Sequence, residues 1–95
     1  MPTSAKTTEG RFEIDRGGGI SYLAHETDNV EWISLLYTEV TPALRGQGLS
    51  AELGKMAFEY AEKHGLKVEL ICPVIGHYAR KHPEYRHLIA RKSQF

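Results

Sequence analysis

A chain of 95 residues is enough for one domain, because two cores of half this length would each be too small to stand alone. Lysine and arginine number 12, as do aspartate and glutamate, so the formal net charge is zero. A dedicated nucleic-acid binder normally carries excess base, so nucleic acid is not an expected partner. The longest uncharged stretch, residues 70–79, is far too short to cross a membrane. The single cysteine, Cys72, and the lack of an apolar run at the N-terminus predict a reducing, cytoplasmic location without a signal peptide.

The N-terminal part of the chain predicts two strands after a polar leader. Residues 1–10 are polar without periodicity, which predicts a flexible terminus followed by one domain over 11–95. Apolar and polar residues alternate over 11–15, as in a half-buried strand. Three glycines at 17–19 predict a hairpin turn rather than a phosphate cradle, because another alternating segment at 20–25, and not a helix, follows them.

The strongest strand signal is Val30–Val40, which is rich in β-branched and aromatic residues. Its alternation predicts one face that carries Ile33, Leu35 and Tyr37. The same argument predicts that this strand lies in the centre of a sheet, because large side chains occur on both faces.

Helical spacing then predicts a helix over Gly48–His64, with Gly65 just past its end. A further strand is predicted at 66–71, and two short helices are predicted at 76–82 and 83–90. Antiparallel strands first, then a helix, a strand and short helices, indicate an α+β (mixed α/β) fold. The pattern leaves open whether the strands before and after the long helix pair directly.

The segment Val40–Ser50 (VTPALRGQGLS) leaves a strand, passes two glycines and opens the long helix. Glycine lets backbone N–H groups approach an anion, and a helix N-terminus adds unpaired donors and a positive dipole end. Arg45 adds a full positive charge. A pyrophosphate group is the ligand that such a segment suits.

Two known phosphate loops fit this segment poorly. A P-loop needs a lysine at the helix start, and the chain has Leu49 between Gly48 and Ser50. The dinucleotide fingerprint is met formally by Gly46, Gly48 and Ala51, but it expects the first glycine directly after a strand, whereas a proline and several loop residues intervene.

The pattern V-x-P-x-x-R-G-x-G, with a strand before it and a helix behind it, resembles the acetyl-coenzyme A loop of the GNAT N-acetyltransferase superfamily. The superfamily signature Q/R-x-x-G-x-G/A maps onto Arg45, Gly48 and Ser50, with serine as a departure in the last place. The stretches Cys72-Pro73, His77-Tyr78 and K-H-P-E-Y at 81–85 resemble the minimal single-domain GNAT-like proteins of the N-acetyltransferase domain-containing protein 1-like type. The resemblance covers about residues 11–89.

This resemblance implies an acetyl-coenzyme A site and a GNAT-like fold. Backbone amides from Arg45 to Ser50 would hold the pyrophosphate, and the strand end at Glu39–Thr41 would bond the pantetheine arm where two strands splay apart. Lys81 would meet the coenzyme's phosphates or face water. The cofactor-binding residues that the resemblance implies are Val40, Thr41, Arg45, Gly46, Gln47, Gly48, Leu49, Ser50 and Lys81.

The resemblance also implies three candidate catalytic residues. Tyr78 would protonate the departing thiolate, or else be a packed aromatic residue with a solvated hydroxyl. Glu39 would be the general base, or else an exposed carboxylate at a strand end. Cys72 would be acetylated, line the cofactor channel, or be an inert buried thiol.

A zinc site is not expected, although Cys72, His77, His82 and His87 recur every five residues. On a helix that step turns each ligand by about 140°, so the four do not converge. The excess of base over 80–92 fits either an anion-binding segment or a solvated helix face.

The predicted function is acetyl transfer from acetyl-coenzyme A directly to an amine of a small molecule or a peptide. The alternative is a coenzyme A-binding or interaction module with little or no catalysis.

Overall fold

The computed structural model describes residues 4–17 and 19–90. Five strands form one sheet in the order of the sequence: β1 Ser4–Thr8, β2 Arg11–Asp15, β3 Ile20–Thr27, β4 Trp32–Glu39 and β5 Lys67–Leu70. β1 to β4 pair antiparallel, and β4 pairs parallel with β5. The chain also forms two α-helices, α1 Leu49–His64 and α2 Pro73–Arg80, and two 3-10 helices, Pro42–Leu44 and Pro83–Leu88. The predicted mixed α+β class is confirmed, and the strands that flank α1 do pair directly.

The prediction of a flexible terminus over residues 1–10 is wrong for Ser4–Thr8, which forms the edge strand β1. The cause is a tight turn at Glu9 and Gly10, in which Gly10 adopts φ 92. The turn directs the chain back along β2, and Lys6 reaches Glu13 across the pair at 3.8 Å. An exposed edge strand buries little apolar surface, so no hydrophobic period reveals it. Residues 1–3 lie outside the described part.

β4 begins two residues later than predicted, at Trp32. The carboxylate of Asp28 accepts the backbone N–H groups of Val30, Glu31 and Trp32 at 2.9–3.0 Å, which holds Val30 and Glu31 in the turn. These bonds stabilise the ionised carboxylate and lower the pKa of Asp28 to about 2.

A β-bulge changes the predicted faces of β4. Leu35 pairs with His25 and Tyr37 pairs with Ala24, so Leu36 is an extra residue in β4. Ile33 and Leu35 are fully buried in the core, as the alternation predicts, but Tyr37 is 52% exposed. The extra residue moves Tyr37 to the other face of β4, so the prediction that Tyr37 shares a face with Leu35 is wrong.

The long helix confirms its prediction. It begins one residue after Gly48, which is its N-cap at φ 75, and it ends before Gly65 at φ 67. Its core face comprises Leu49, Leu53, Gly54, Ala57, Phe58 and Ala61. This face packs against the side of the sheet that carries Phe12 and Leu23. α1 therefore crosses the sheet with its N-terminus at the chain segment that leaves β4.

The last two helices differ from their predictions. α2 begins at Pro73 rather than residue 76, because proline suits the first position of a helix, where its missing N–H costs nothing. The final segment is a 3-10 helix over Pro83–Leu88, which ends two residues before the short helix predicted over 83–90. Its Tyr85 ring lies 4.9 Å from the Phe58 ring at an interplanar angle of 9°, which fastens the segment to α1.

Candidate functional site

The parallel pair β4–β5 opens after Leu35. Its register runs from Trp32 opposite Lys67 to Leu35 opposite Leu70. Beyond it, the N–H groups of Ile71 and Cys72 both donate to the Leu35 carbonyl, at 3.0 and 2.9 Å. Pro73 then turns the chain into α2. Within the described residues, β4 therefore continues past Leu35 without a strand partner on its β5 side.

Cys72 lies at this opening. Its side chain is 2% exposed, and its Sγ atom lies 3.9 Å from Oγ1 of Thr38 on β4. Cys72 is also the N-cap of α2 and gives it no side-chain hydrogen bond. The thiol thus lies between the two diverging segments, where the resemblance places a channel-lining or reactive cysteine.

The chain that follows β4 makes a short 3-10 turn before α1. The amides of Leu44, Arg45 and Gln47 donate to carbonyls within the loop, at 2.9, 3.4 and 3.3 Å. Two of the amides expected to hold an anion, those of Arg45 and Gln47, are therefore used by the loop itself. The amides of Gly46, Gly48, Leu49 and Ser50 have no acceptor in the described part of the chain, as expected for the start of a helix.

The approach to these amides is open. Gly46 and Gly48 are exposed and adopt φ 88 and 75, in the left-handed region that favours glycine. A Cβ atom built on either one meets no heavy atom within 4 Å. The side chain of Arg45 is exposed and folds back so that Nε donates to the Val40 carbonyl at 3.3 Å. Its guanidinium adds positive charge beside the loop.

One carboxylate lies in the first turn of α1. Glu52 accepts two hydrogen bonds from Nη2 of Arg16, at 2.7 and 2.9 Å. Arg16 belongs to the turn between β2 and β3, and Gly19 of the same turn packs so closely on Thr41 that an added Cβ would lie 2.8 Å from Cγ2 of Thr41. The pairing offsets the Glu52 charge, so the helix end keeps its preference for anions.

Tyr78 lies in an aromatic cluster between the helices. Its ring rests on Gly54 of α1 and stacks on His82 at 4.1 Å. Nδ1 of His82 lies 3.2 Å from the carboxylate of Glu84. Tyr78 is 9% exposed, and burial is the main reason that its pKa is raised. The phenol is therefore protonated at neutral pH.

The structure brings some predicted site residues together and separates others. Val40 and Thr41 join β4 to the glycine loop, and the Thr41 amide donates to Oγ of Ser21 at 3.2 Å. Glu39 is exposed at the end of β4, opposite Tyr22. Lys81 is exposed at the C-terminal end of α2. The Tyr78 ring packs against Phe58 and Gly54 of α1 and against His82, which follows α2.

Sequence reasoning missed His25, which is buried on β3 with neither ring nitrogen hydrogen-bonded in the described part of the chain. The alternation over 20–25 puts His25 on the same face as Leu23, so its burial could have been predicted once that face was known to be buried.

The basic segment over 80–92 faces solvent where it is described. Arg80, Lys81 and Arg86 are exposed, and Arg91 and Lys92 lie outside the described residues.

A profile of the GCN5-related N-acetyl-transferase family matches residues 11–88. The chain belongs to this family. The solution structure of a GCN5-like putative N-acetyltransferase from Staphylococcus aureus superimposes on this chain with a TM-score of 0.71 at 24% identity. The match covers 96% of this chain and 91% of that one, and at this identity it shows the shared fold. No curated protein matches the sequence.

Members of the GCN5-related N-acetyltransferase family generally use acetyl-coenzyme A as their acyl donor. The parts of the structure that suit this donor are those described above: four unpaired amides, an adjacent arginine and an opening between two parallel strands. Across the described residues, no group of three or more His, Cys, Asp or Glu side chains is placed to hold a metal ion. Within the same residues, no helix has the length and apolar character needed to span a membrane.

Proposed function

We propose that this chain binds acetyl-coenzyme A and transfers its acetyl group directly to an amine. The observation that carries the proposal is the arrangement at the end of β4. The pairing with β5 stops at Leu35, and a loop whose two glycines have free space around them then leads into the N-terminus of α1. A diphosphate is a natural ligand for such a helix end. The extended pantetheine arm would then follow the strand edge that β5 leaves unpaired.

The four amides of Gly46, Gly48, Leu49 and Ser50 are the proposed diphosphate donors. Arg45 would add charge-assisted hydrogen bonds once its side chain turns towards the phosphates. This set is smaller than the one that the resemblance implies, because the Arg45 and Gln47 amides are already bonded within the loop. The side chain of Lys81 stays a proposed phosphate contact from the end of α2.

In the proposed reaction, the lone pair of a neutral amine attacks the thioester carbonyl and the C–S bond breaks. The nitrogen then loses a proton to solvent to give the amide, and the thiolate takes up a proton. Glu39 is the proposed base that removes a proton from the incoming ammonium ion. Tyr78 is the proposed acid, and its raised pKa keeps the phenol proton available. Cys72 is proposed to line the channel, and its 3.9 Å contact with Thr38, beside the point where the two segments diverge, supports this role.

The alternative is a module that binds coenzyme A with little catalysis. The packing of Tyr78 against Gly54 and His82 favours it, because an acid fixed between helices has less freedom to reach a thiolate. The two functions share the same coenzyme site and differ in turnover.

The coenzyme site is tested by calorimetry with acetyl-coenzyme A on Gly48→Glu. A carboxylate at this position would repel the diphosphate and occupy the open approach, so binding should be lost. Gly65→Glu is a matched control, because Gly65 also has a positive φ of 67 and free space around its Cβ position, but it lies at the other end of α1. Unchanged affinity in Gly48→Glu, or equal loss in both variants, would refute the site.

Catalysis is tested by following thioester cleavage with a panel of amines. Tyr78→Phe should lower kcat with the affinity for acetyl-coenzyme A unchanged, whereas Tyr85→Phe, in the same aromatic cluster, should leave kcat unchanged. Cys72→Ser should retain turnover if transfer is direct. An acetylated Cys72 in the intact-mass spectrum, together with loss of turnover in Cys72→Ser, would replace direct transfer with a covalent route. No turnover by the unmodified chain, with binding intact, would favour the module.

A further inference from the structure

The turn between β2 and β3 contacts the chain on both sides of the proposed coenzyme loop. On one side, Gly19 of this turn packs on Thr41, which follows β4. On the other side, Arg16 binds Glu52 in the first turn of α1. The turn therefore bridges the strand end and the helix start between which the glycine loop lies.

The turn is held against the loop by contacts that do not involve the arginine side chain. The Thr41 amide donates at 3.2 Å to Oγ of Ser21, a fully buried side chain of β3. Gly19 adopts φ 113, and a side chain at this position would collide with Thr41. At the start of the turn, Oδ1 of Asp15 accepts the Gly17 amide at 3.0 Å. The backbone around the arginine is therefore tied down beside the loop.

Glu52 lies in an unfavourable place for anion binding. It follows Ser50, whose amide is one of the four proposed diphosphate donors, by two residues, and its side chain is 45% exposed. A carboxylate in the first turn of a helix interacts with the positive end of the helix dipole, so it competes with an incoming anion for the same field. It also repels that anion directly, and the diphosphate of coenzyme A is multiply charged, which increases the repulsion.

Arg16 offsets this repulsion. Its Nη2 atom donates to both carboxylate oxygens of Glu52, at 2.7 and 2.9 Å. Hydrogen bonds of this length between charged groups bring the positive charge into direct contact with the carboxylate. The pair lies near the surface, so its contribution to the stability of the fold is small. Its larger effect is on the field at the start of α1, which loses most of the negative contribution of Glu52.

We propose that Arg16 is a positioning residue of the coenzyme site. It acts through Glu52, whose charge it holds neutralised so that the loop amides can bind the diphosphate. This inference rests on the proposed function and adds to it a residue outside the loop that sets coenzyme affinity. Arg16 is not assigned a direct contact with the diphosphate, in contrast to Arg45.

Calorimetry of the full chain with acetyl-coenzyme A in a low-salt buffer tests the inference. Arg16→Gln leaves the Glu52 charge unpaired and should weaken binding about threefold or more. Glu52→Gln removes the repelling charge and should not weaken binding, and the double variant Arg16→Gln/Glu52→Gln should bind as tightly as the unmodified chain. Arg11→Gln is the matched control and should leave the affinity unchanged. Arg11 lies at the other end of β2 and likewise pairs with a glutamate, Glu13, at 3.7 Å.

The double variant separates an electrostatic role from a structural one, because it lacks the ion pair just as Arg16→Gln does. If the pair only held the fold together, both variants would lose the same affinity. In about 1 M sodium chloride, where charges interact over only about 3 Å, the difference between Arg16→Gln and the unmodified chain should disappear.

Four results would overturn the inference and leave the proposed function standing. They are full affinity in Arg16→Gln, a double variant that binds as weakly as Arg16→Gln, weaker binding by Glu52→Gln, and a loss in Arg11→Gln equal to that in Arg16→Gln. Persistence of the Arg16→Gln effect at high salt would also overturn it. Absence of binding by the unmodified chain would overturn the proposed function and this inference together.

Discussion

Two glycines on neighbouring helices should respond in opposite ways to the same substitution. Gly54 lies inside α1, where an added Cβ would come within 2.8 Å of Cδ2 and 3.0 Å of Cγ of Tyr78. Gly76 lies inside α2, and a Cβ added there meets nothing within 4 Å. Both have helical backbones without a positive φ, so alanine is free of backbone strain at either position.

The expected magnitudes follow from two opposing terms. Alanine in place of glycine in a helix interior contributes about 1 kcal/mol of stability. At Gly76 this term acts alone, so Gly76→Ala should raise the free energy of unfolding by about 0.5–1 kcal/mol. At Gly54 the Tyr78 ring must move, and the rings of His82 and Phe58 confine it. Overpacking of this kind costs about 1–3 kcal/mol, so Gly54→Ala should be destabilising by about 1 kcal/mol.

Urea denaturation of the two variants measures these changes, and melting temperatures should move in opposite directions by about 4–8 °C per kcal/mol. Replacing Tyr78 with leucine supplies the internal check, because Gly54→Ala should become stabilising in that background. The reasoning is refuted if Gly54→Ala is as stable as Gly76→Ala with Tyr78 in place. It is also refuted if the cost of Gly54→Ala persists with leucine at position 78.

Three further predictions concern stability. The folded-state pKa of His25 lies below the unfolded value of 6.5, so the free energy of unfolding should be at its full value above pH 6.5 and should fall as the pH falls below it. Replacing His25 with phenylalanine (His25→Phe) should flatten this part of a stability–pH curve. The pKa of Asp28 is about 2 against an ordinary 3.8, so stability should fall as the pH falls through this interval, and Asp28→Ala should remove that dependence in acid titrations. Gly65→Ala should lower the free energy of unfolding by about 1 kcal/mol in urea, because Gly65 holds φ 67 at the end of α1.

The elements with strong local signals were predictable from the sequence. The helix that begins after Gly48 and ends before Gly65 has both a 3.6-residue period and its terminal glycines, and these hold it within one residue of its predicted bounds. β2 likewise coincides with its prediction, because its alternation is buried against α1. The class of the fold followed from the order of these elements.

What could not be predicted depends on contacts between distant segments. The bulge at Leu36 is visible only in the pairing of β4 with β3, because the residues around it alternate normally in sequence. Similarly, β1 is a strand only because β2 pairs with it. Among the described residues the His25 nitrogens have no hydrogen-bond partner, and this depends on all the segments that pack around them. Each of these features is tertiary, so no local pattern encodes it.

The loop is the part of the candidate site most readable from sequence, and the structure gives a reason. Pro42 begins the 3-10 turn and Gly48 adopts the left-handed conformation at the helix start, so residues a few positions apart form this feature. The opening beside it has a different origin. It forms where Pro73, which follows α1 and β5 in the chain, ends the pairing of β5 with β4. The proposed anion site and the proposed strand-edge channel arise from separate parts of the chain, so we expect that they can be changed independently. Substitutions at Gly48 should act on coenzyme affinity, whereas substitutions at Cys72 should act on the channel.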